Sequence, residues 1–281
     1  MRPDVLAVVG LGAIGGSVAW QARVAGVPRV VGYVPDEAEG AAAVAAGAVT
    51  ELADSADCAT AGADLVVLAT PPHITMDLIG RLAAGLEPGT ILTDVASVKT
   101  PIIRQAVSVG LAERFAGGHP LAGTHGSGFA YARPDMLRGC AVYVCTTGSS
   151  GQAAADTVME FWERTMEAAP TLIDAAVHDR QLAWTSHLPQ AVAYALGNAL
   201  SRLALTPESF GPGARDTTRL AASNPELWLD IFRENREAVL AALDGTGASL
   251  SELRSLIAAG DEASLLAYLT RSAAFRRELG A

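Results

Sequence analysis

A glycine-rich turn close to the N-terminus constrains the fold more than any other feature of this sequence. It lies in VLAVVGLGAIGGSVA, between an apolar run and an Ala-rich helical pattern. Its residues are Gly10, Leu11, Gly12, Ala13, Ile14 and Gly15. In a G-x-G-x-x-G turn, the first glycine makes the tight turn, the second admits a pyrophosphate, and the third lets the helix pack on the strand. The turn therefore predicts a dinucleotide site at a helix N-terminus; a tight turn without a ligand is the alternative.

The first half of the chain alternates short apolar runs with helical stretches. The runs VLAVVG, RVVGYV, ADLVVLAT and TILTDV are apolar almost throughout, which is typical of a parallel sheet covered on both faces. Residues 140–147 (CAVYVCTT) predict a further strand, and residues 154–169 predict an amphipathic helix. We therefore predict an α/β doubly wound, Rossmann-type domain over residues 1–174.

The alternation stops in the second half of the chain. From about residue 175 the sequence carries helical periodicity and no convincing strand. We therefore predict an all-helical C-terminal domain over residues 175–281. Residues 206–225 (TPESFGPGARDTTRLAASNP) interrupt it with an irregular segment that is a candidate binding loop.

Composition excludes several classes of partner. The formal net charge is −10, and no run of Lys or Arg is present, which argues against nucleic acid and anionic membranes. We see no leader pattern and no apolar run long enough to span a membrane, so we expect a cytoplasmic protein with a small-molecule ligand. Three cysteines without a CxxC pair indicate reduced thiols rather than a disulfide framework or a zinc site, and we expect no metal.

The end of the second predicted strand bears on the choice of cofactor. Val34 stands where an acidic residue would bind the adenosine ribose, and Asp36 follows two positions later. Asp36 is either a ribose ligand or the N-cap of the next helix. No Lys or Arg follows Val34 through that helix, so NAD is favoured and NADP is the alternative. Thr70, Pro71 and Pro72 follow the next predicted strand and complete the expected cofactor site.

Two histidines lie in the stretch GGHPLAGTHGSGF, residues 117–129, which we predict to be a loop because Gly and Pro suit neither helix nor strand. A solvated histidine in a turn is one interpretation. The other is that the loop presents His119 as a base to a bound substrate. The segment TDVASVK, with Ser97, and the His119 loop both follow predicted strands, at the sheet edge where ligands bind in this fold. We therefore favour His119 as the base.

Five motifs, GLGAIGGS, DVASVK, GHPLAGT, SHLP and DTTRLAASNPELW, occur in this order along the chain. Together they resemble the prephenate/arogenate dehydrogenases of tyrosine biosynthesis. The resemblance implies a nucleotide-binding domain, a helical domain that forms most of a homodimer interface, and an active site in the cleft between them. It also implies that Ser97 hydrogen-bonds His119 and the substrate hydroxyl; a helix N-cap is the alternative for Ser97.

The resemblance further implies a substrate site. Its residues would be Thr124, His125, Ser186, His187, Gln190, Arg219 and Trp228. Arg219 would hold a substrate carboxylate with its planar guanidinium. The alternative for an Arg in a loop is a charged side chain on the surface. For His187 and Trp228, the alternative interpretation is that both side chains lie in the core.

Two positions depart from the family pattern. His125 replaces a Glu found in many members, and it either takes over the role of that Glu or is idle. Gln190 stands where other members have His, or an acidic residue in enzymes selective for arogenate. Because a neutral Gln lacks the attraction for an ammonium group, we favour prephenate, oxidatively decarboxylated to 4-hydroxyphenylpyruvate with hydride transfer to NAD.

Other functions remain as alternatives. An arogenate or amino-substituted prephenate dehydrogenase would share the same site. A β-hydroxyacid dehydrogenase would need a catalytic Lys in the helical domain, and residues 150–281 contain none. A non-catalytic NAD(H)-sensing protein would not need Ser97, His119 and Arg219 together.

Overall fold

One eight-stranded sheet forms the centre of the computed structural model, which describes residues 2–123 and 126–280. The strands are β1 (Val5–Val9), β2 (Arg29–Tyr33), β3 (Glu51–Leu52), β4 (Leu65–Leu68), β5 (Ile91–Asp94), β6 (Phe115–Pro120), β7 (Ala141–Thr146) and β8 (Ala169–Leu172). Their order in the sheet is β3-β2-β1-β4-β5-β6-β7-β8. Strands β1 to β6 are parallel, β7 is antiparallel to β6, and β8 is parallel to β7.

Helices cover the sheet and make up the later part of the chain. They are α1 (Ala13–Val24), α2 (Glu37–Ala45), α3 (Ala56–Thr60), α4 (Pro72–Leu82), α5 (Thr100–Ser108), α6 (Gln152–Glu160), α7 (Ala175–Leu182), α8 (Leu188–Leu200), α9 (Pro212–Thr218), α10 (Pro225–Glu234), α11 (Arg236–Ala259) and α12 (Glu262–Glu278). Two π-helical turns continue this pattern: Phe161–Thr165 extends α6, and Ala183–His187 joins α7 to α8. The predicted doubly wound α/β domain, followed by a helical region, is confirmed.

The core follows from the apolar strands. All four residues of β4 are buried, and so are the last four of β1, so each strand contributes side chains to both faces of the sheet. Two apolar clusters result, one on each face. The chain order reverses between β1 and β4, and ligands bind at the carboxyl ends of strands at such a point.

The helix predicted for residues 154–169 is confirmed over most of its length. Its predicted inner face, Val158, Phe161, Trp162 and Met166, is completely buried. The last turn widens into the π-helical turn before β8. Periodic apolar residues therefore placed this element correctly, because helix faces depend on local spacing.

The prediction of a loop across residues 117–120 is wrong. These residues lie in β6, which pairs with β5 on one side and β7 on the other. Two flanking strands satisfy the backbone of β6, and this outweighs the poor strand propensity of Gly and Pro. The short strand β8 was also not predicted.

Two compact units divide the chain, Met1–Arg236 and Glu237–Ala281. The first holds the whole sheet and the helices through α10. In the second, the hydroxyls of Ser249 and Tyr268 lie 2.6 Å apart and link α11 to α12. The domain boundary at residues 174 and 175 stays a prediction. Within the described residues, no helix combines the length and apolar character needed to cross a membrane.

Candidate active site

The glycine turn between β1 and α1 has the geometry of a phosphate cradle. Gly10 has φ +97°, and a Cβ there would lie 2.3 Å from the Ala69 carbonyl oxygen. A Cβ on Gly15 would lie 1.9 Å from the Gly10 oxygen. A Cβ on Gly12 would meet no described atom within 4 Å. The first and third glycines are therefore required by packing, whereas the second borders open space.

Two helix N-termini meet at this edge of the sheet. Helix α1 begins after Gly12 and helix α4 after Pro71, and neither has a side-chain cap among the described residues. Thr70 precedes α4, and its Oγ1 lies 2.9 Å from the Thr75 Oγ1. Main-chain N–H groups at such ends suit an anion, so the turn fits the pyrophosphate of a dinucleotide.

A cavity of about 450 Å³ lies at the end of β2 and is lined by Val34 and Asp36. The Asp36 carboxylate accepts hydrogen bonds from the N–H groups of Ala38 at 2.9 Å and Glu39 at 3.1 Å, so it caps α2. The N-cap interpretation of Asp36 is therefore correct. The described lining contains no Lys or Arg and three carboxylates: Asp36, Glu37 and Asp54.

His119 lies at the carboxyl end of β6, beside a cavity of about 900 Å³. Ser97, Ser186 and Trp228 also line this cavity. Ser97 lies three residues before α5, whose N-cap is Lys99, so Ser97 is not that cap. Within the described residues, no hydrogen bond joins Ser97 to His119. The wide π turn Ala183–His187 brings Ser186 to the cavity wall.

A chain of hydrogen bonds runs from His119 into the protein. His119 Nδ1 lies 2.9 Å from His178 Nε2, and His178 Nδ1 lies 2.8 Å from Asp179 Oδ1. The Asp179 carboxylate also accepts hydrogen bonds from the N–H groups of Lys99 and Thr100, each at 2.8 Å. Asp179 is thus anchored to the first turn of α5 and fixes the ring of His178.

The chemistry of these groups determines where the protons lie. A carboxylate only accepts, so His178 donates its Nδ1–H to Asp179. The Nε2 of neutral His178 then accepts the Nδ1–H of His119. This leaves the Nε2 of His119 without a proton, and this nitrogen is the one available to a substrate in the cavity.

The pKa values support this protonation state. Burial, reinforced by the neighbouring His178, Lys99 and His187, holds the pKa of His119 well below its ordinary value of 6.5. Burial also lowers the pKa of His178, against the opposing effect of Asp179. Burial alone would raise the pKa of Asp179, but its hydrogen bonds outweigh burial and lower it. At neutral pH, these three hydrogen-bonded groups are therefore one carboxylate and two neutral imidazoles.

His187 lies one layer behind the cavity wall. It is fully buried, and its ring packs edge-on against Trp228 with 6.0 Å between centroids. Asn235 Nδ2 lies 3.1 Å from His187 Nδ1 and donates to it. The proton of neutral His187 is then on Nε2, which has no hydrogen-bond partner among the described residues. Burial lowers the pKa of His187 to about 4.

A second cavity, of about 270 Å³, shares Trp228 and Ser223 with the first. Gln190 and Arg219 both line it, Gln190 from α8 and Arg219 from the turn after α9. Gln190 is buried, and its Nε2 donates to the Leu220 carbonyl at 2.6 Å. The structure thus brings together the two residues expected to bind the substrate side chain.

Some residues of the site were not predicted from the sequence. His178 and Asp179 were not predicted, because their only sequence signal is a His-Asp pair in a helical segment. Thr124 and His125, expected in the substrate site, lie outside the described residues. The predicted roles of the remaining residues stay predictions.

The fold and the site together define a dinucleotide-dependent dehydrogenase. They combine a glycine turn that fits a pyrophosphate, at the switch point of a doubly wound sheet, with a buried imidazole beside a cavity. Two family models match the chain. The nucleotide-binding domain of prephenate dehydrogenase matches residues 18–168, and the prephenate dehydrogenase dimerization domain matches residues 174–271.

Individual proteins and structures agree with these matches. The cyclohexadienyl dehydrogenase of Zymomonas mobilis is 32% identical over 95% of this chain and 93% of its own length. The structure of Aquifex aeolicus prephenate dehydrogenase with hydroxyphenyl propionate and NAD+ has a TM-score of 0.90 and 32% identity, over 98% of this chain and 97% of that one. Synechocystis arogenate dehydrogenase has a TM-score of 0.80 and 29% identity, over 98% and 99%. The chain belongs to the prephenate dehydrogenase family.

Proposed function

We propose that this protein oxidises prephenate to 4-hydroxyphenylpyruvate and CO2, with NAD as hydride acceptor. The observation that carries the proposal is the hydrogen-bond chain that leaves Nε2 of His119 as an unprotonated base beside the large cavity. The related Aquifex aeolicus enzyme is a prephenate dehydrogenase with NAD+ bound, which supports both the substrate and the cofactor.

His119 handles the proton of the substrate hydroxyl. Its Nε2 accepts this proton as the ring carbon loses hydride, for which bound NAD supplies the acceptor. Loss of the ring carboxylate as CO2 leaves its electron pair in the ring and makes it aromatic. The oxygen becomes a phenolate and takes the proton back from His119, so the imidazole returns to its neutral state.

The acceptance of prephenate is supported by the charges around the small cavity. Arg219 offers a guanidinium for a substrate carboxylate. No Asp or Glu lines either substrate cavity among the described residues, so no carboxylate is in place to attract an ammonium group. Prephenate carries a neutral keto group where arogenate carries the ammonium.

Arogenate is the second candidate, and the orientation of Gln190 favours it. The Leu220 carbonyl can only accept, so the amide nitrogen of Gln190 must face it. The Oε1 oxygen is then the end of the amide left to accept a hydrogen bond, and Gln190 lines the small cavity. An oxygen acceptor suits the ammonium of arogenate better than the keto oxygen of prephenate.

NAD rather than NADP is favoured by the cavity at the end of β2. Its described lining carries three carboxylates and no cation, and a 2′-phosphate there would be repelled. We also propose that the protein is a homodimer. The family model that matches residues 174–271 describes a dimerization domain, and α11 and α12 expose large apolar side chains such as Ile257, Leu266 and Phe275.

An assay of both substrates with both cofactors tests the proposal. We expect kcat/KM to be highest for prephenate with NAD. Gln190→Glu should shift the ratio of kcat/KM values toward arogenate, by about 1–3 kcal/mol at short range in a partly dry cavity. Arg219→Ala should raise KM for both substrates and leave the ratio unchanged. A wild-type preference for arogenate would favour the second candidate, and no turnover of either substrate would refute both.

A further inference from the structure

Lys99 is the only lysine in the 281-residue sequence; the other nineteen basic side chains counted with it are arginines. It is also completely buried. A buried lysine is rare unless it is paired, and the mechanism above makes no use of its side chain. The position of this one lysine therefore calls for an explanation.

The side chain of Lys99 makes two contacts close to the base. Its Nζ donates to Asp94 Oδ2 at the end of β5, and Asp94 is completely buried as well. It also donates to the carbonyl oxygen of Gly118 at 2.6 Å. Gly118 directly precedes His119 in β6, so the ammonium group holds the backbone that carries the base.

The two glycines before His119 let β6 lie close to Lys99 and to the end of β5. A Cβ on Gly117 would lie 3.1 Å from Lys99 Cδ. A Cβ on Gly118 would lie 2.7 Å from the Asp94 carbonyl oxygen. The pair Gly117-Gly118 therefore lets β6 pass directly over Lys99 and Asp94.

The main chain of Lys99 reaches the same base by a second route. Its N–H donates to Asp179, which orients His178, which in turn contacts His119. One residue thus holds both the strand on which His119 lies and the carboxylate that fixes its tautomer.

We propose that Lys99 is a positioning residue: paired with Asp94, it holds His119 in place and keeps its imidazole unprotonated. The proposal rests on the proposed function, in which His119 is the base. Its physical basis is that an ammonium bonded to the preceding carbonyl disfavours a second positive charge on His119.

Other titratable groups also face His119 or its partner His178. They are Asp94 on β5, Tyr143 on β7, His178 and Asp179 on α7, and His187 on the π turn. Asp179 is fixed by its own hydrogen bonds, and Asp94 is paired with Lys99. The low pKa of His119 is due first to burial and then to His178, Lys99 and His187. Removal of the Lys99 charge should therefore raise it.

Two variants test this role. Lys99→Met removes the charge at similar length, and Asp94→Asn with Lys99→Met leaves no unpaired charge in the core. In the protein without substrate or cofactor, the ring C–H resonances of His119 are titrated by NMR and assigned with His119→Asn. The pH profile of kcat is measured separately. Arg104→Met, at an exposed position on α5, is the matched control.

We expect the His119 pKa and the acid limb of kcat to move to higher pH in both variants, but not in Arg104→Met. We expect kcat at neutral pH to fall by up to about 10²-fold, as for a base displaced by about 1 Å, while KM stays close to wild type. A folded double variant with wild-type titration would overturn the proposal. A double variant that does not fold would assign the pair a structural role and also overturn it. If neither substrate is turned over but the NMR titration shifts, the proposed function fails and the effect of Lys99 on His119 stands.

Discussion

At the scale of single residues, the site depends on the protonation of one imidazole. His119→Asn keeps a polar side chain but removes the base. We expect kcat to fall by about 10²–10⁴-fold, the usual contribution of general base catalysis, with nucleotide affinity close to wild type.

Because the pKa of His119 lies well below 6.5, wild-type kcat should stay level as pH falls through 6.5 and decline only at lower pH. Steady-state kinetics across pH and nucleotide titration measure these effects; a decline centred at 6.5 or above would contradict the assignment.

The tautomer of His119 leads to a second prediction. Asp179→Asn replaces an acceptor that holds three N–H donors by an amide that brings donors of its own. His178 would no longer be fixed with its proton on Nδ1, and His119 would lose the matching tautomer. We expect kcat to fall by about 10²–10⁴-fold with little change in KM. Asp174→Asn is the control, because the Asp174 carboxylate caps the same helix by accepting from the Val177 N–H, whereas its contact with His178 is through the main chain alone. Equal losses in the two variants would show that only the integrity of α7 matters.

At the scale of elements, substitutions in the turn between β1 and α1 should distinguish a glycine needed for ligand binding from one needed for packing. Gly12 has φ −72° and open space beside it, so Gly12→Ala should leave the free energy of unfolding unchanged but weaken dinucleotide binding. Gly15→Ala places a methyl group against the Gly10 carbonyl and should cost at least about 1–3 kcal/mol of stability. Urea unfolding without ligand and dinucleotide titration measure the two effects. Normal dinucleotide affinity in Gly12→Ala would place the phosphates elsewhere.

Strand β6 shows how tertiary context overrides local propensity. Residues 117–120 have poor strand propensity, yet they pair with β7, while β6 also pairs with β5 as far as Gly117, and all six residues of β6 are buried. The glycines that suggested a loop leave space for neighbours, Gly117 for the buried pair of Lys99 and Asp94 and Gly118 for the Asp94 main chain. The same glycines therefore led to a wrong loop prediction and are required for the packing of β6.

At the scale of the whole molecule, buried neutral histidines should make stability depend on pH. His119, His178 and His187 all have lowered pKa values, so the unfolded chain binds more protons as pH falls below 6.5. Stability should therefore decrease from about pH 6.5 toward pH 4, by roughly 1 kcal/mol per pH unit for each such group. The lowered pKa of Asp179 adds a further loss only below this range, because the carboxylate contributes its full stability above its unfolded pKa of 3.8 and loses it as pH falls through its folded pKa.

Urea unfolding at pH values from 7.5 to 4.5 measures this dependence. His187→Gln retains an acceptor for Asn235 and cannot titrate, so its stability should fall less steeply with decreasing pH. An unchanged slope in His187→Gln would mean that this ring does not carry the effect.

The proposed homodimer is also a prediction about the whole molecule. Leu266 and Phe275 on α12 are each more than half exposed in the single chain. We expect sedimentation equilibrium to give twice the chain mass for the wild type, and Leu266→Asp with Phe275→Asp to weaken association. Wild-type protein that stays monomeric at micromolar concentration would refute the proposed dimer.

Local chemistry allowed the sequence alone to determine much of this protein. The glycine turn, the alternation of strands and helices, the buried face of α6 and the identity of His119 as a candidate base all depend on residue types at short spacing. These features can be predicted because a turn, a strand or a helix face is formed by residues that are close together in the sequence.

Only the tertiary structure decided how the side chain of His119 is held. His119 and His178 are 59 residues apart in sequence, Lys99 and Asp179 are 80 apart, and none of these contacts has a local pattern. The strand character of β6 likewise depends on partners supplied by distant segments. Hydrogen bonds and ion pairs of this kind form only when the sheet brings remote residues together and excludes water from them, and this is why the residues that position His119 could not be predicted from the sequence.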